Sequence, residues 1–363
     1  MIYLSWLVLG FLAIRLFIAL LNVINRQWLH DGVVTSTPLV SILIPARNEE
    51  NNIGTLLESL LQQDYKNLEI IVYDDLSTDN TAAIVNNYCF SDNRVRIVNG
   101  IELPRGWLGK NYACHTLSQE AKGDYLLFID ADVVTFPKLI TQAMAHLKKH
   151  QLSLLSIFPQ QIMHSLGELI TVPLMTWILV SLLPLRLTRD SKKPSLSSAN
   201  GQFMLFDASV YKQIQFHKLV KNVAVEDIVI FKELKRNRFK GHTILSNGQV
   251  KCRMYKGFGE AARGFSKNIF YFFGKSPIAS FAFAIITTFG FVPLLFWLGG
   301  PFPFIWLAGE ASIRLIIAIA TRQNGFKLVL LAPLQQLAFF WILFIAYRVK
   351  ILGNLEWKGR IVN

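Results

Sequence analysis

The sequence predicts an α/β domain on a mostly parallel sheet, held between membrane-spanning helices. Three observations predict it: β-rich apolar runs alternating with helical patterns up to Pro159, polar clusters at the ends of those runs, and long apolar stretches near both ends of the chain. Of the 363 residues, 52% are hydrophobic and only 17% charged. That charged share is below the roughly 25% usual for a soluble domain. Disorder is excluded, and the length allows two domains with a sizeable core. Cys89, Cys114 and Cys252 are odd in number and far apart, which excludes a disulfide framework or zinc cluster and fits a reducing compartment.

The first element is the run Ile2 to Ile24, whose one charge is Arg15; it is long enough to cross a bilayer and lacks the basic leader and cleavage site of a signal peptide. Residues 1–25 are therefore expected to be an uncleaved anchor. In the domain that follows, 38–277, the expected strands are Leu39 to Ile44, stopped by Pro45, then Leu68 to Tyr73, Val95 to Val98, and Tyr125 to Ile129. Ile53, Leu56, Leu57, Leu60 and Leu61 have helical spacing, and Ser77 to Thr81 suit a helix N-terminus. From 278 to 347 only Glu310, Arg314, Arg322 and Lys327 are charged, and glycine and polar breaks divide the stretch into spans at about 278–298, 302–320 and 327–347. A basic tail, 348–363, completes the chain.

The formal charge of +13 is unevenly spread. Residues 1–185 carry 12 basic and 16 acidic side chains, 186–277 carry 18 and 6, and 278–363 carry 7 and 2. Nearly all the excess lies just before the apolar region, where it would face an anionic cytoplasmic leaflet, so the expected partner is a membrane and not a nucleic acid.

Three polar clusters each follow an expected strand: Pro45-Ala46-Arg47-Asn48-Glu49-Glu50, Asp74-Asp75 and Asp130-Ala131-Asp132. Ligands of parallel α/β sheets bind at strand carboxyl ends. Carboxylates at i and i+2 there can share one hard cation, and Mg²⁺ or Mn²⁺ typically adds substrate phosphate oxygens. Asp130 and Asp132 thus read as a metal–diphosphate site. Lys110 follows a Gly-Trp-Leu-Gly turn suited to cradling phosphates. Glu226-Asp227 reads both as the capped first turn of a helix and as a source of a general base.

PARNEE, YDDLSTDNT and IDADV at the three strand ends resemble the inverting family 2 glycosyltransferases. LPRGWLGKN (103–111), Val225-Glu226-Asp227 and Glu356 to Arg360, with one N-terminal and several C-terminal spans, resemble the bacterial enzymes that glycosylate polyisoprenoid lipids. Among these are the C30 carotenoid (diaponeurosporenoate) and hopene-associated glycosyltransferases. The resemblance implies a GT-A nucleotide-sugar-binding fold. It also implies that Pro45, Arg47 and Glu49 line the nucleoside pocket, that Asp74 or Asp75 accepts the uracil N3–H, and that Asp130 and Asp132 hold ribose and the cation. Asp227 would be the base, with Glu226 as second choice. Where processive relatives carry Gln-x-x-Arg-Trp, this chain reads Ala262-Arg263-Gly264-Phe265-Ser266-Lys267. Arg263 and Lys267 can still meet the diphosphate, but the missing Trp implies addition of a single sugar.

UDP-sugars are cytosolic, so the resemblance implies a multi-pass protein of the cell membrane with residues 25–277 inside. Segment 166–187 is then expected to lie in the interface, since a crossing there would part Asp227 from Asp130 and Asp132. Three C-terminal crossings would put Arg348, Lys350, Lys358 and Arg360 outside, against the positive-inside expectation. Either the tail is an exception or one C-terminal segment is re-entrant, and Pro333 and Gln335-Gln336 make 327–347 the expected irregular one. The expected activity is transfer of one hexose, glucose by preference, from a UDP-sugar to a hydroxyl or carboxylate of a membrane lipid. A polyprenyl phosphate, hopanoid or ceramide-like acceptor is the alternative within that class, and a cation-binding membrane protein or transporter the alternative outside it.

Overall fold

The computed structural model describes residues 2–32, 34, 36–352, 355–357 and 360–362. They form two compact units, one of Gln27–Gln160 with Leu185–Arg253, the other of Met1–Arg26, Gln161–Pro184 and Met254–Asn363.

The strands are β1 (Val40–Ala46), β2 (Leu68–Asp74), β3 (Val95–Asn99), β4 (Tyr125–Ile129), β5 (Val133–Thr135), β6 (Leu154–Phe158), β7 (Gln160–Gln161), β8 (Phe203–Asp207), β9 (Gly241–Leu245), β10 (Val250–Cys252), β11 (Leu355–Trp357) and β12 (Arg360–Val362). The first unit is built on a seven-stranded sheet of order β3-β2-β1-β4-β8-β6-β9, in which only β8 runs against the rest. The four expected strands are β1 to β4. β1 runs one residue past Pro45, which is tolerated because pairing with β4 ends at Leu43 and the missing proline N–H deprives no ladder partner there. The expected helical spacing also holds: Ile53, Leu56, Leu57 and Leu60 of the helix Ile53–Leu61 are fully buried. Because β8 is reversed, its first residues lie at the same edge as the last residues of β1, β2 and β4. That edge gathers all three polar clusters.

In the second unit, Ile2–Ile24, Phe302–Thr321 and Ala332–Ile351 are each long and apolar enough to cross a membrane. A fourth candidate is Pro277–Phe289 with Phe291–Trp297, bent by 56°. This corrects the expectation for 327–347. Pro333 stands in the first turn of its helix, where its missing N–H interrupts nothing. Gln335 donates to the Leu169 carbonyl (3.2 Å) and Gln336 accepts from Thr288 Oγ1 (3.0 Å), both from within the continuous helix Ala332–Leu352. The break instead falls at Gly290. Pro293 can neither donate to the Phe289 carbonyl nor pack a straight turn against it, and Trp306 fills the space that a Gly290 Cβ would take, at 2.7 Å.

Segment 166–187 forms the helices Leu166–Thr171 and Pro173–Leu182, then enters the other unit at Leu185. From Thr171 to Ser181 only Thr176 escapes full burial, so no polar face of an amphipathic helix is presented. Ser165 and Glu168 cap its start reciprocally, and Asn22 Nδ2 donates to the carbonyls of Val180 and Leu183 (both 2.9 Å) at its end.

The few charges of the apolar helices meet one another. Glu310 accepts from both Arg15 and Arg314, the latter at 3.2 Å, and the two guanidinium carbons each lie 4.9 Å from the Trp177 ring. Gly309 makes this approach possible, since a Cβ there would meet Leu12 at 2.7 Å. Arg348 and Lys350 lie in the last helix, whereas Lys358 falls outside the described residues.

Candidate active site

The β1 and β2 clusters form one laced surface. Asn48 enters the left-handed region (φ 53°), its Oδ1 accepts from the Thr78 amide (2.9 Å), and its own amide donates to Ser77 Oγ (3.0 Å). Glu49 N donates to Thr81 Oγ1 (2.8 Å) and Glu50 N to Asp79 Oδ2 (3.1 Å). The small polar residues of YDDLSTDNT therefore tie the two loops together, a role beyond the helix start expected of them. Arg47 donates to the Asp75 carbonyl (2.9 Å) and stands 3.5 Å from its carboxylate. Asp74 is buried, and its Oδ1 has no hydrogen-bond partner among the described residues. Gly100 N donates to the Asp74 carbonyl at 2.8 Å, an approach so close that a Gly100 Cβ would lie 2.4 Å from that oxygen.

Lys110 joins the remaining clusters. Its Nζ lies 2.8 Å from Asp130 and 3.3 Å from Glu226. Burial pulls this ammonium down, but the two carboxylates outweigh it and hold Lys110 well above its ordinary value. Asn111, buried beside it, donates to the carbonyls of Val220 (2.8 Å) and Val223 (3.0 Å), while Leu108 N donates to that of Lys221 (2.8 Å). The Lys110 loop is thereby fastened to the segment leading into Glu226-Asp227. Replacing Asn111 with Leu removes the side-chain donor to the Val220 and Val223 carbonyls and should destabilise the fold by about 1–3 kcal/mol. A denaturant or thermal melt of the detergent-solubilised chain checks this; an unchanged midpoint would contradict it.

Asp227 stands in the first turn of the helix Glu226–Arg236 and is half-buried. Its carboxylate accepts from Gly201 N (3.0 Å) and Ile228 N (2.7 Å), so helix start and oriented carboxylate coincide. Burial first, and the Glu226 charge second, push it up to about 7. Gly201 is the floor here: a Cβ would stand 3.1 Å from Lys110 Nζ and 3.2 Å from Glu226 Oε1.

Asp132 is likewise pushed up to about 7, by burial and then by the charges of Asp130 and Glu49. Its Oδ1 is buried without a hydrogen-bond partner among the described residues. No group of three or more His, Cys, Asp or Glu side chains among those residues is arranged to hold a metal by itself. The donor set nevertheless suits Mg²⁺ or Mn²⁺, which take one or two carboxylates and complete their shell with water and phosphate oxygens. The orphaned Asp132 oxygen is where such a cation would be held.

Cys114 is buried near Lys110, and burial holds its thiol well above the ordinary range, so it offers no thiolate. The His115 ring stacks on Trp107 at 5.2 Å. Arg263 lies on the helix Phe258–Ser266 and Lys267 caps it, both in the second unit. Sequence reasoning passed over Gly201, Gln202 and Cys252. A lone glycine, glutamine or cysteine carries no spacing signal, and only the β4–β8 and β5–β10 pairings bring these beside the acidic residues.

Residues 41–215 match the family model Glycosyl transferase family 2. This segment is a family 2 glycosyltransferase domain. The chain is 29% identical over 254 residues to a 4,4'-diaponeurosporenoate glycosyltransferase of Staphylococcus haemolyticus, covering 68% of this chain and 66% of that one. It is 36% identical over 128 residues to the protein of the same name from Staphylococcus aureus (strain MRSA252), covering 34% and 32%. The matches thus span less than two thirds of these relatives' length. Among solved structures, the mannosyltransferase PcManGT of Pyrobaculum calidifontis, in complex with GDP-Man and Mn²⁺, superposes with a TM-score of 0.58 over 96% of this chain and 99% of that one, at 18% identity. The shared fold is GT-A.

Proposed function

We propose that this glycosyltransferase moves one hexose, glucose by preference, from a UDP-sugar to a polyisoprenoid membrane lipid with inversion at the anomeric carbon. The observation that carries the reading is the convergence, on one sheet edge, of a paired-carboxylate turn, a lysine bridging Asp130 to Glu226, and the carboxylate of Asp227 oriented by two backbone amides. Pro45, Arg47 and Glu49 bound the nucleoside, and Asp74, whose Oδ1 is without a partner among the described residues, accepts the uracil N3–H. Lys110 moves its charge from Asp130 to the diphosphate. Asp130 and Asp132 would hold Mg²⁺ or Mn²⁺, which would supply charge neutralisation for the leaving diphosphate. Asp227 takes the proton of the acceptor hydroxyl as that oxygen attacks from the face opposite UDP; the new bond is carbon–oxygen, and UDP leaves with the electron pair.

The names of the staphylococcal relatives support an apocarotenoid acid or similar lipid as acceptor; a carboxylate acceptor is already ionised, and Asp227 then orients it without taking a proton. The apolar helices support a multi-pass protein, and a cytosolic UDP-sugar would put its sugar site in the cytoplasm. Calorimetry of the solubilised chain with Mn²⁺ tests the donor: UDP should bind and GDP bind more weakly. Absence of UDP binding, or preference for GDP, would overturn the assignment of the base.

The raised Asp227 sets a pH dependence. A base must be ionised, so with a hydroxyl acceptor kcat/KM should rise with pH through a limb near 7. Glu226→Gln removes a like charge that raises Asp227, so the limb should move to lower pH. A limb that stays in place in that variant would assign the titration to another group.

A further inference from the structure

We propose that Gln202 supplies, through its side-chain carbonyl, a third protein oxygen to the divalent cation held by Asp132 and Asp130. This rests on the cation reading above and extends it to a residue outside the acidic motif.

The backbone puts Gln202 there. Ile129 of β4 pairs with Phe203 of β8, and Asp130 N donates to the Gln202 carbonyl at 3.4 Å, so Gln202 borders the Asp130-Ala131-Asp132 turn. On the other side, Val133 of β5 pairs with Cys252 of β10. The buried Gln202 side chain spans the gap: its Nε2 donates to Cys252 Sγ and lies 3.5 Å from Asp132 Oδ2. Those contacts fix the amide plane and leave Oε1 buried with no hydrogen-bond partner among the described residues. The same is true of Asp132 Oδ1.

Two buried acceptors without a donor among the described residues, on side chains in contact with each other, are a costly arrangement. The nearby ammonium does not relieve it, because Lys110 is engaged by Asp130 and Glu226. Adjacent carboxylate and amide oxygens are a donor set for a hard cation, which accepts Gln carbonyls as readily as carboxylates. A neutral ligand also adds no third negative charge to a site where Asp130 and Glu49 already crowd Asp132.

The test is Mn²⁺ binding, followed by electron paramagnetic resonance on the solubilised full chain with UDP. Gln202→Met, which keeps the bulk and loses the oxygen, should weaken Mn²⁺ about tenfold. Gln202→Glu, which returns an oxygen to the same place, should bind Mn²⁺ at least as tightly as wild type. If Gln202 served only as an Nε2 donor to Asp132, Glu would weaken binding as Met does, and that result overturns the proposal. Unchanged binding in Gln202→Met overturns it too, by assigning Oε1 to water. Where Gln202→Met is not recovered folded, electron–nuclear double resonance on wild type carrying ¹³C-labelled glutamine decides, because a ligating carbonyl couples to Mn²⁺ and its absence refutes the ligand. A wild type that binds UDP but no Mn²⁺ would reject the cation reading itself.

Discussion

Asp227→Asn lowers kcat by a factor of about a hundred to ten thousand, the range that a positioned general base supplies, and leaves UDP·Mn²⁺ affinity near wild type. The size follows from geometry. Asp227 is the carboxylate held by two backbone amides, and it is pushed up to about 7, near the pH at which a base is most effective. The neighbouring Glu226 is a poor substitute, since Lys110 stands 3.3 Å from it. The amide of Asn keeps the shape of the site and can still accept from Gly201 N, but it cannot take a proton. Transfer assays and calorimetry on the same preparation separate the two effects. Weaker nucleotide binding with unchanged turnover would make Asp227 a binding residue and move the base elsewhere.

The second large effect is on stability. Glu310→Leu removes the one acceptor shared by Arg15 and Arg314 and leaves two buried guanidiniums without a carboxylate. Stripping one partner from a buried ionic cluster costs about 3–5 kcal/mol, whereas replacing the whole cluster with apolar residues is often neutral. The triple variant Arg15→Leu, Glu310→Leu, Arg314→Leu should therefore recover most of what the single variant loses. Thermal unfolding in detergent reads both. A single variant as stable as wild type would mean that the cluster is solvated.

Much of this site is legible in the sequence because it is local. Each acidic cluster follows an apolar run, so the parallel sheet alone predicts that Arg47, Asp74 and Asp130 share an edge. Lys110 and Asp227 are legible as motif positions, but their common contact is not; it depends on Asn111 binding the carbonyls before Glu226. Gln202 and Cys252 are invisible from spacing because the reversal of β8 and the β5–β10 pairing, both long-range, bring them in. In the apolar unit the sequence marks Arg15, Glu310 and Arg314 as unusual without showing that they pair. Pro333 misleads in the same way: a proline reads as a break until its place in the first helical turn is known, and the actual bend lies at Gly290, one turn before Pro293.

The central claim is that this chain joins a nucleotide-bound hexose to a lipid. Membranes containing the wild-type chain, Asp227→Asn or Asp132→Ala, incubated with Mn²⁺ and radiolabelled UDP-glucose, test it through the label recovered in the organic phase. The account predicts lipid-soluble label with wild type and near-background label with both variants. Equal labelling by all three, or label confined to the aqueous phase with the wild type, would contradict it.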